Sequence, residues 1–470
     1  MRRLSTPLTA LVVACLTGCA SLAPNLVLPT APVAATWPAG GAAMAADSAA
    51  PADIEWRAFV TDARLRGTLE LALLNNRDLR VAVLNIERAR AQYRITRSAA
   101  LPEIGATAAA SRQRSPATAG GVAGGGSSSN SSTQYGIELG LAAYELDFFG
   151  RVRSLSESAM QSFFAVEENR RSTQIGLVAE VASAWLTLAA DSQRLELARS
   201  TLTSSRASYE LTRRTQALGG ASGLALAQAQ TTVDAARVEV ARYASQTVRD
   251  RNALELLVGA PLADPLLPAT LMEDASLLVE VPAGLPAEVL QRRPDVLAAE
   301  RLLRAANADI GAARAALFPS ITLTAAAGTQ SSSLGDLFSP GSGAWSFAPR
   351  IDLAIFDGGR RRANVQLTEA QQAIEVANYE KTLQVAFREV ADALAERSTL
   401  AEQLDAQRSL TEATQRSYTL SDALFKNGAS SYLAVLDAQR QLYAARQASI
   451  SLRLSEQANR ITLYRVLGGG

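Results

Sequence analysis

The sequence predicts a mixed α/β membrane protein, mainly α, in which one structural unit is written twice and copies of the chain pool a small number of strands. Three observations predict it. First, a shift of 209 positions lays the chain on itself without a gap: Gly150-Arg151 falls on Gly359-Arg360, Glu180-Val181-Ala182 on Glu389-Val390-Ala391, Tyr209 on Tyr418 and Gly259 on Gly468. Upstream, a shift of 217 pairs Asp78 with Asp295, Arg97 with Arg314 and Leu101-Pro102 with Phe318-Pro319, so the chain is a tandem duplication. Second, neither 151–218 nor 360–427 contains a proline, and Gly176 is their only glycine, which predicts two very long helices. Third, short segments upstream of both helices alternate apolar and polar residues at the period of a strand.

In chain order, Met1-Arg2-Arg3 and the apolar run Leu8 to Leu16 have the layout of a secretory signal peptide, too short to span a bilayer. Leu16-Thr17-Gly18-Cys19 resembles the bacterial lipobox, so residues 1–18 are expected to be removed and Cys19 to carry diacylglycerol and an acyl chain. Cys15 leaves with the signal, and the single remaining thiol forbids an intrachain disulfide. Residues 19–66 form an N-terminal lipidated segment.

The first repeat, 67–259, reads as a helix, a β-hairpin near 103–147, and long helices over 151–218 and 222–258. The second, 286–470, repeats the order with a hairpin near 320–356 and helices over 360–427 and 431–467. Between them, 260–285 carries Pro261, Pro265, Pro268 and Pro282, which break regular structure. A helix over 151–218 would run roughly 100 Å, several bilayer thicknesses, so most of it stands in water. The return helix places Leu433, Leu436, Tyr443, Ile450, Leu454, Ile461 and Tyr464 on three- and four-residue steps, a coiled-coil seam interrupted by Arg440, Gln447 and Gln457.

Beyond the signal, no stretch of about twenty apolar residues offers a transmembrane helix, and the other way to satisfy backbone groups in lipid is a closed β-barrel. Trp345, Phe347, Pro349, Ile351, Leu353 and Ile355 alternate with Ser346, Ala348, Arg350, Asp352 and Ala354; Tyr135, Ile137, Leu139 and Leu141 alternate with Gly136, Glu138, Gly140 and Ala142. Weaker strands near Ile104 to Ser111 and Ile321 to Thr329 complete two hairpins, with Gly/Ser-rich loops over Ser115 to Thr133 and Gln330 to Gly343. Four strands cannot close a membrane barrel, so several chains must contribute. A dimer, trimer or tetramer satisfies this argument equally.

The 46 basic and 45 acidic residues nearly cancel, and no like-charged run marks a nucleic-acid surface. Histidine is absent, which removes the usual general base and the commonest transition-metal ligand. No catalytic constellation, metal site or phosphate-binding glycine loop presents itself, which argues against an enzyme and against any cofactor beyond the lipid on Cys19.

Gln291-Arg292-Arg293-Pro294-Asp295-Val296, Ile310-Gly311-Ala312-Ala313-Arg314, Phe318-Pro319-Ser320, Ile355-Phe356-Asp357-Gly358-Gly359-Arg360 and Tyr432-Leu433-Ala434-Val435-Leu436-Asp437-Ala438-Gln439 together resemble the TolC-like outer-membrane factors. Within that family they are similar to the OprM-like, NodT-type lipoprotein branch that serves resistance-nodulation-division (RND) pumps. The resemblance covers nearly the whole mature chain. It implies a homotrimer in the outer membrane of a Gram-negative cell, with a 12-stranded β-barrel, four strands per chain, continued by a 12-helix periplasmic α-barrel. It also implies a passive exit duct for drugs in a tripartite efflux system, with a periplasmic adaptor and an inner-membrane RND transporter as partners. Residues 19–66, the linker 260–285 and the C-terminus would then form an equatorial wrap.

The same resemblance makes the turns at Gly219, Gly220 and Ser222 and at Gly428 and Ser431 the adaptor-docking tips, and Leu433 with Asp437 the periplasmic gate. Leu433 and Asp437 are one helical turn apart and face the same way. Three Asp437 carboxylates on one axis would repel each other and attract cations. On periodicity alone, an aspartate on a long helix is more often a solvated face residue. The first copy carries Leu224 and Gln228 at these positions, so the copies differ where a single ring is expected. Rival readings keep the fold but export metal cations or proteins by the type I route, or make the chain a lipid-anchored coiled-coil scaffold with no pore.

Overall fold

The computed structural model describes residues 22–34, 37, 55–115, 130–268, 278–279 and 287–469. The first repeat holds α1 (Ala63–Asn75), α2 (Arg77–Ser98), β1 (Ile104–Ser115), β2 (Asn130–Glu145), α3 (Arg151–Ala217) and α4 (Gly223–Val258). The second holds α5 (Pro294–Ala315), β3 (Ser320–Ser331), β4 (Gly343–Asp352), α6 (Arg360–Lys426) and α7 (Tyr432–Val466). Both α3 and α6 are unbroken helices of 67 residues, which the absence of proline allows.

The duplication extends to backbone conformation. Gly150 and Gly359 precede the long helices with φ of 75° and 88°, Gly219 and Gly428 end them with 79° and 75°, and Gly259 and Gly468 end the return helices with 75° and 79°. Each is a left-handed position that favours glycine. A side-chain tie is duplicated as well. Asn76, just before α2, donates from Nδ2 to the Leu257 carbonyl at 2.7 Å, and Arg293, just before α5, donates from Nη1 to the Val466 carbonyl at 2.7 Å. Position 257 shifted by 209 is 466, so each repeat pins its short helix to the end of its own return helix.

Arg293 does more than its counterpart. Buried, it also holds Asp295 through two bonds of 3.0 and 2.7 Å and Glu389 of α6 at 2.8 Å. Pro294 at the first position of α5 supplies a preset φ and gives up an N–H that has no helical partner there.

The described chain falls into two compact units. The first collects residues up to 29 together with 87–165 and 300–378. Its centre is one antiparallel sheet in the order β1-β2-β3-β4, not two separate hairpins, because β2 pairs with β3 from Tyr135↔Ser331 to Glu145↔Thr322. The β2–β3 register shifts between Leu141 and Tyr144, where Ala143 adopts a φ of 49°, as at a β-bulge. Close crossing uses Gly140, where a Cβ would lie 2.7 Å from the Ala325 carbonyl. The alternation read as far as Ile355 ends early as a strand. β4 stops at Asp352, paired with Ser320, the first residue of β3 after Pro319, so Leu353 and Ile355 have no partner. The segment 332–342 is not wholly irregular, since Leu334–Asp336 form a short 3-10 turn.

The second unit collects 30–86, 166–299 and 379–470. One eighteen-residue window of α3 is apolar enough to cross a membrane by composition, which corrects the expectation that no such stretch exists. Its physical reason is packing: Leu177, Val181, Ala182, Trp185, Leu186, Ala189 and Ala190 are buried in this unit's core. Trp185 Nε1 and Thr68 Oγ1 both donate to the Leu266 carbonyl, at 3.0 and 3.3 Å, which fixes the described part of the linker on the first repeat. Phe59 stacks on Tyr464 at 4.2 Å between ring centroids.

The seam of α7 is also corrected. Its buried stripe runs through Tyr432, Val435, Leu436, Gln439, Leu442, Ala445, Ile450, Ile461 and Tyr464, while Leu433 is exposed. Of the polar residues that interrupt the pattern, Gln447 is held structurally, as is Gln439 within the buried stripe. Gln439 bonds Ser205 Oγ at 3.2 Å, and Gln447 accepts from the Tyr243 hydroxyl at 3.2 Å while donating to the Tyr443 hydroxyl at 2.9 Å.

Candidate functional site

In the first unit, cross-strand register decides which side chains share a face, because paired residues point the same way. The pairs Ala108↔Ile137, Ala106↔Leu139, Leu139↔Ala327, Ala327↔Trp345, Ala325↔Phe347 and Ile321↔Ile351 put an apolar face on one side. The pairs Thr107↔Glu138, Ser111↔Gln134, Thr322↔Arg350 and Ala326↔Ser346 put small and polar residues on the other. The apolar side is bare in the single chain: Trp345 is 81 %, Ile351 68 % and Leu139 62 % exposed. Only lipid or another protein surface removes that area from water.

Within the described sheet, β1 and β4 each pair on one side only. A sheet with an apolar outer face, a polar inner face and two open edges has the chemistry of a barrel segment, since edges left unpaired in hydrocarbon cost several kcal/mol per group.

In the second unit, the two helix–turn–helix ends hold the residues singled out as tips. Gly220 N–H donates to the Thr215 carbonyl at 2.9 Å and Ala429 N–H to the Leu424 carbonyl at 2.8 Å, so both turns satisfy the carbonyls that their helices leave open. Ser222 Oγ caps α4 by accepting from Ala225 N–H at 3.1 Å; Ser431 occupies the same place before α7 without a side-chain cap. Near these turns one apolar cluster joins all four helices. Ala229, Tyr432, Val435 and Leu436 form it, with Tyr209, Tyr418 and Phe425 packed against it.

Leu433 and Asp437 lie on the opposite side of α7 from that cluster. Leu433 is 58 % exposed, and Asp437 is exposed and accepts from Gln441 Nε2 at 2.8 Å. The structure thus puts both on one solvent-facing stripe a single turn apart. Leu224 is 69 % exposed and Gln228 half-buried at the matching positions of α4. Cys19 lies outside the described residues. Nearby, the Pro24 carbonyl accepts from Asn307 Nδ2 at 2.9 Å, and a Cβ on Gly311 would meet Ala23 at 2.9 Å, so the chain just after Cys19 is seated on α5 in the unit that contains the sheet.

Two polar centres in the second unit were not legible as sites. Asp250 of α4 has its carboxyl pushed up to about 6 by burial and by the neighbouring Asp191 of α3, which is itself held by Arg194 at 2.6 Å. The Tyr443 hydroxyl is pushed up to about 12, chiefly by burial. Among the described residues no cluster of His, Cys, Asp or Glu could hold a metal ion.

Comparison with known proteins agrees with this geometry. The family model described as "Outer membrane efflux protein" matches residues 68–260 and 285–469. The chain is 48% identical over 470 residues to the antibiotic efflux pump outer membrane protein ArpC of Pseudomonas putida, covering 99% of this chain and 95% of that one. It is 48% identical, with the same coverage, to the toluene efflux pump outer membrane protein TtgC of Pseudomonas putida. Among solved structures, the open state of the Neisseria gonorrhoeae MtrE outer membrane channel superposes with a TM-score of 0.85 at 38% identity, covering 96% of this chain and 98% of that one.

Proposed function

Because the chain belongs to the outer membrane efflux protein family, we propose that three copies build a passive exit duct from the sheet and helices described above. It is an outer-membrane efflux channel and a transport component. Twelve strands would close the barrel and twelve helical rods would continue it into the periplasm. The observation that carries this reading is the open-edged amphipathic sheet, which has an apolar outside, a polar inside and no second partner for β1 or β4 within the described chain. A duct transports through a water-filled lumen and leaves selection to the pump, so no substrate pocket is required.

The cargo we assign is small toxic organic molecules, antibiotics and aromatic solvents, supported by what the names of the relatives ArpC and TtgC say they export. The partners we assign are a periplasmic adaptor at the turns 219–222 and 428–431 and an inner-membrane RND transporter. Cys19 is read as the lipid anchor. Support comes from the seating of Ala23 and Pro24, four and five residues after Cys19, on α5 in the unit that holds the sheet.

Leu433 and Asp437 are read as the gate because they pair an apolar and an anionic group on an exposed stripe beside the tip. Replacing both with Ala widens the constriction and removes its charge. The expected outcome is a larger single-channel conductance and weaker cation preference in planar bilayers, with the trimer intact. Unchanged conductance and selectivity would remove the gate assignment and leave the duct standing.

A further inference from the structure

The two junctions between sheet and long helix are equivalent by the 209 shift but differ in charge. In the first copy Arg151 is bound by Glu145, at 2.8 Å from Nε, and Asp147 accepts from the Arg153 backbone N–H. Shifted by 209, Glu145 becomes Ala354 and Asp147 becomes Phe356, while Arg151 becomes Arg360. The second junction therefore keeps the cation and loses both acids. Among the described residues, the Arg360 guanidinium has no hydrogen-bond or ion-pair partner. The neighbouring Arg361 holds Asp357 only at 3.7 Å, and its Nη1 is buried without a partner. Asp357 is spent on the backbone, accepting from Gly359 and Arg361 N–H.

Arg360 and Arg361 line a cavity of about 360 Å³ beside the stacked rings of Phe149 and Phe318; its two carboxylates, Glu145 and Asp147, are engaged by Arg151 and by the Arg153 backbone N–H, not by Arg360. The irregular segment between β4 and these arginines exposes Leu353 at 54 %, Ile355 at 95 % and Phe356 at 90 %, and follows in the chain the exposed Trp345, Phe347 and Ile351 of the bare apolar face. Apolar side chains beside the unpaired Arg360 and the loosely paired Arg361, at the end of a membrane strand, match the boundary between acyl chains and phosphates. A second copy seated here would bury the unpaired Arg360 guanidinium and the free Nη1 of Arg361 unless it brought carboxylates, whereas a lipid phosphate supplies an anion and an apolar tail together.

We propose that residues 353–361 form a seat for an anionic phospholipid of the periplasmic leaflet, with Arg360 and Arg361 binding the phosphate diester and Leu353, Ile355 and Phe356 entering the acyl region. The proposal goes beyond the duct reading and rests on the sheet's place in the outer membrane.

The test measures phosphatidylglycerol bound to the purified mature assembly by native mass spectrometry, titrated against phosphatidylethanolamine, for the wild type, Arg360→Gln/Arg361→Gln and Arg360→Lys/Arg361→Lys. Conductance is recorded in parallel, so that loss of the pore is distinguishable from loss of the seat. The Gln pair is expected to weaken phosphatidylglycerol binding by about fivefold per arginine, with assembly and conductance retained, and the Lys pair to restore most of it. Equal phosphatidylglycerol binding by the wild type and the Gln pair would overturn the proposal. So would dissociation of the Gln pair into single chains, which would make the segment a subunit contact. Displacement of the lipid by inorganic phosphate at equal concentration would equally overturn it, in favour of a free-anion site.

Discussion

Asp250 is held beside Asp191 in the second unit, with Gln246 donating to one of its oxygens at 2.8 Å and the other oxygen buried without a partner. Burial and the Asp191 carboxyl raise its folded pKa to about 6 from an ordinary carboxylate value of 3.8. A raised folded pKa means that the folded state binds the proton more tightly, so the stability it confers is present below about pH 4 and is lost as pH rises through 6. Asp250→Asn should therefore raise the unfolding temperature at pH 7.5 and leave it little changed at pH 4, measured by scanning calorimetry in detergent. The same shift at both pH values would show that Asp250 ionises normally. Arg293 illustrates the opposite economy. As part of the Arg292-Arg293-Pro294-Asp295 segment it could be quoted as a family signature, but its role, joining α5, α6 and the end of α7, depends on residues 96 and 173 positions away and had no local signal.

Elements were the most legible scale. Helices α3 and α6 run as the lack of proline allows, and the glycines at 219, 428, 259 and 468 all take the left-handed conformation that ends a helix. The cap serines look alike in sequence but differ in the fold. Ser222→Ala removes a side-chain bond to Ala225 N–H and should cost about 1 kcal/mol, whereas Ser431→Ala removes none. Hydrogen exchange at the two turns should accelerate in the first variant and stay near wild type in the second; equal acceleration would contradict this. Period alone misplaced the face of α7. Leu433 fits a three-and-four spacing with Leu436, yet the helix turns its Tyr432, Val435 and Leu436 side inward, because partner residues Ala229, Tyr209 and Phe425 lie there. Gln447 read as an interruption because its hydrogen bonds to Tyr243 of α4 and Tyr443 of α7 leave no periodic trace.

For the whole molecule, the duplication and the need to pool strands were legible because both are patterns of the chain with itself. That the four strands form one continuous sheet was not. The β2–β3 pairing joins the two copies over a sequence separation that no hairpin signal covers, and β4 ends at Asp352 opposite Ser320, where β3 begins just after Pro319.

The central claim is that the bare edges of β1 and β4 are completed by other copies of the chain. Cysteine pairs scanned along β1 and β4, in a mature chain whose only other thiol is Cys19, measure this directly by oxidative cross-linking of membrane-embedded protein. The account predicts disulfides only between chains, in a ladder that ends at the trimer and closes there into a ring. Cross-links formed within one chain, or a ladder with no closed trimeric product, would contradict it.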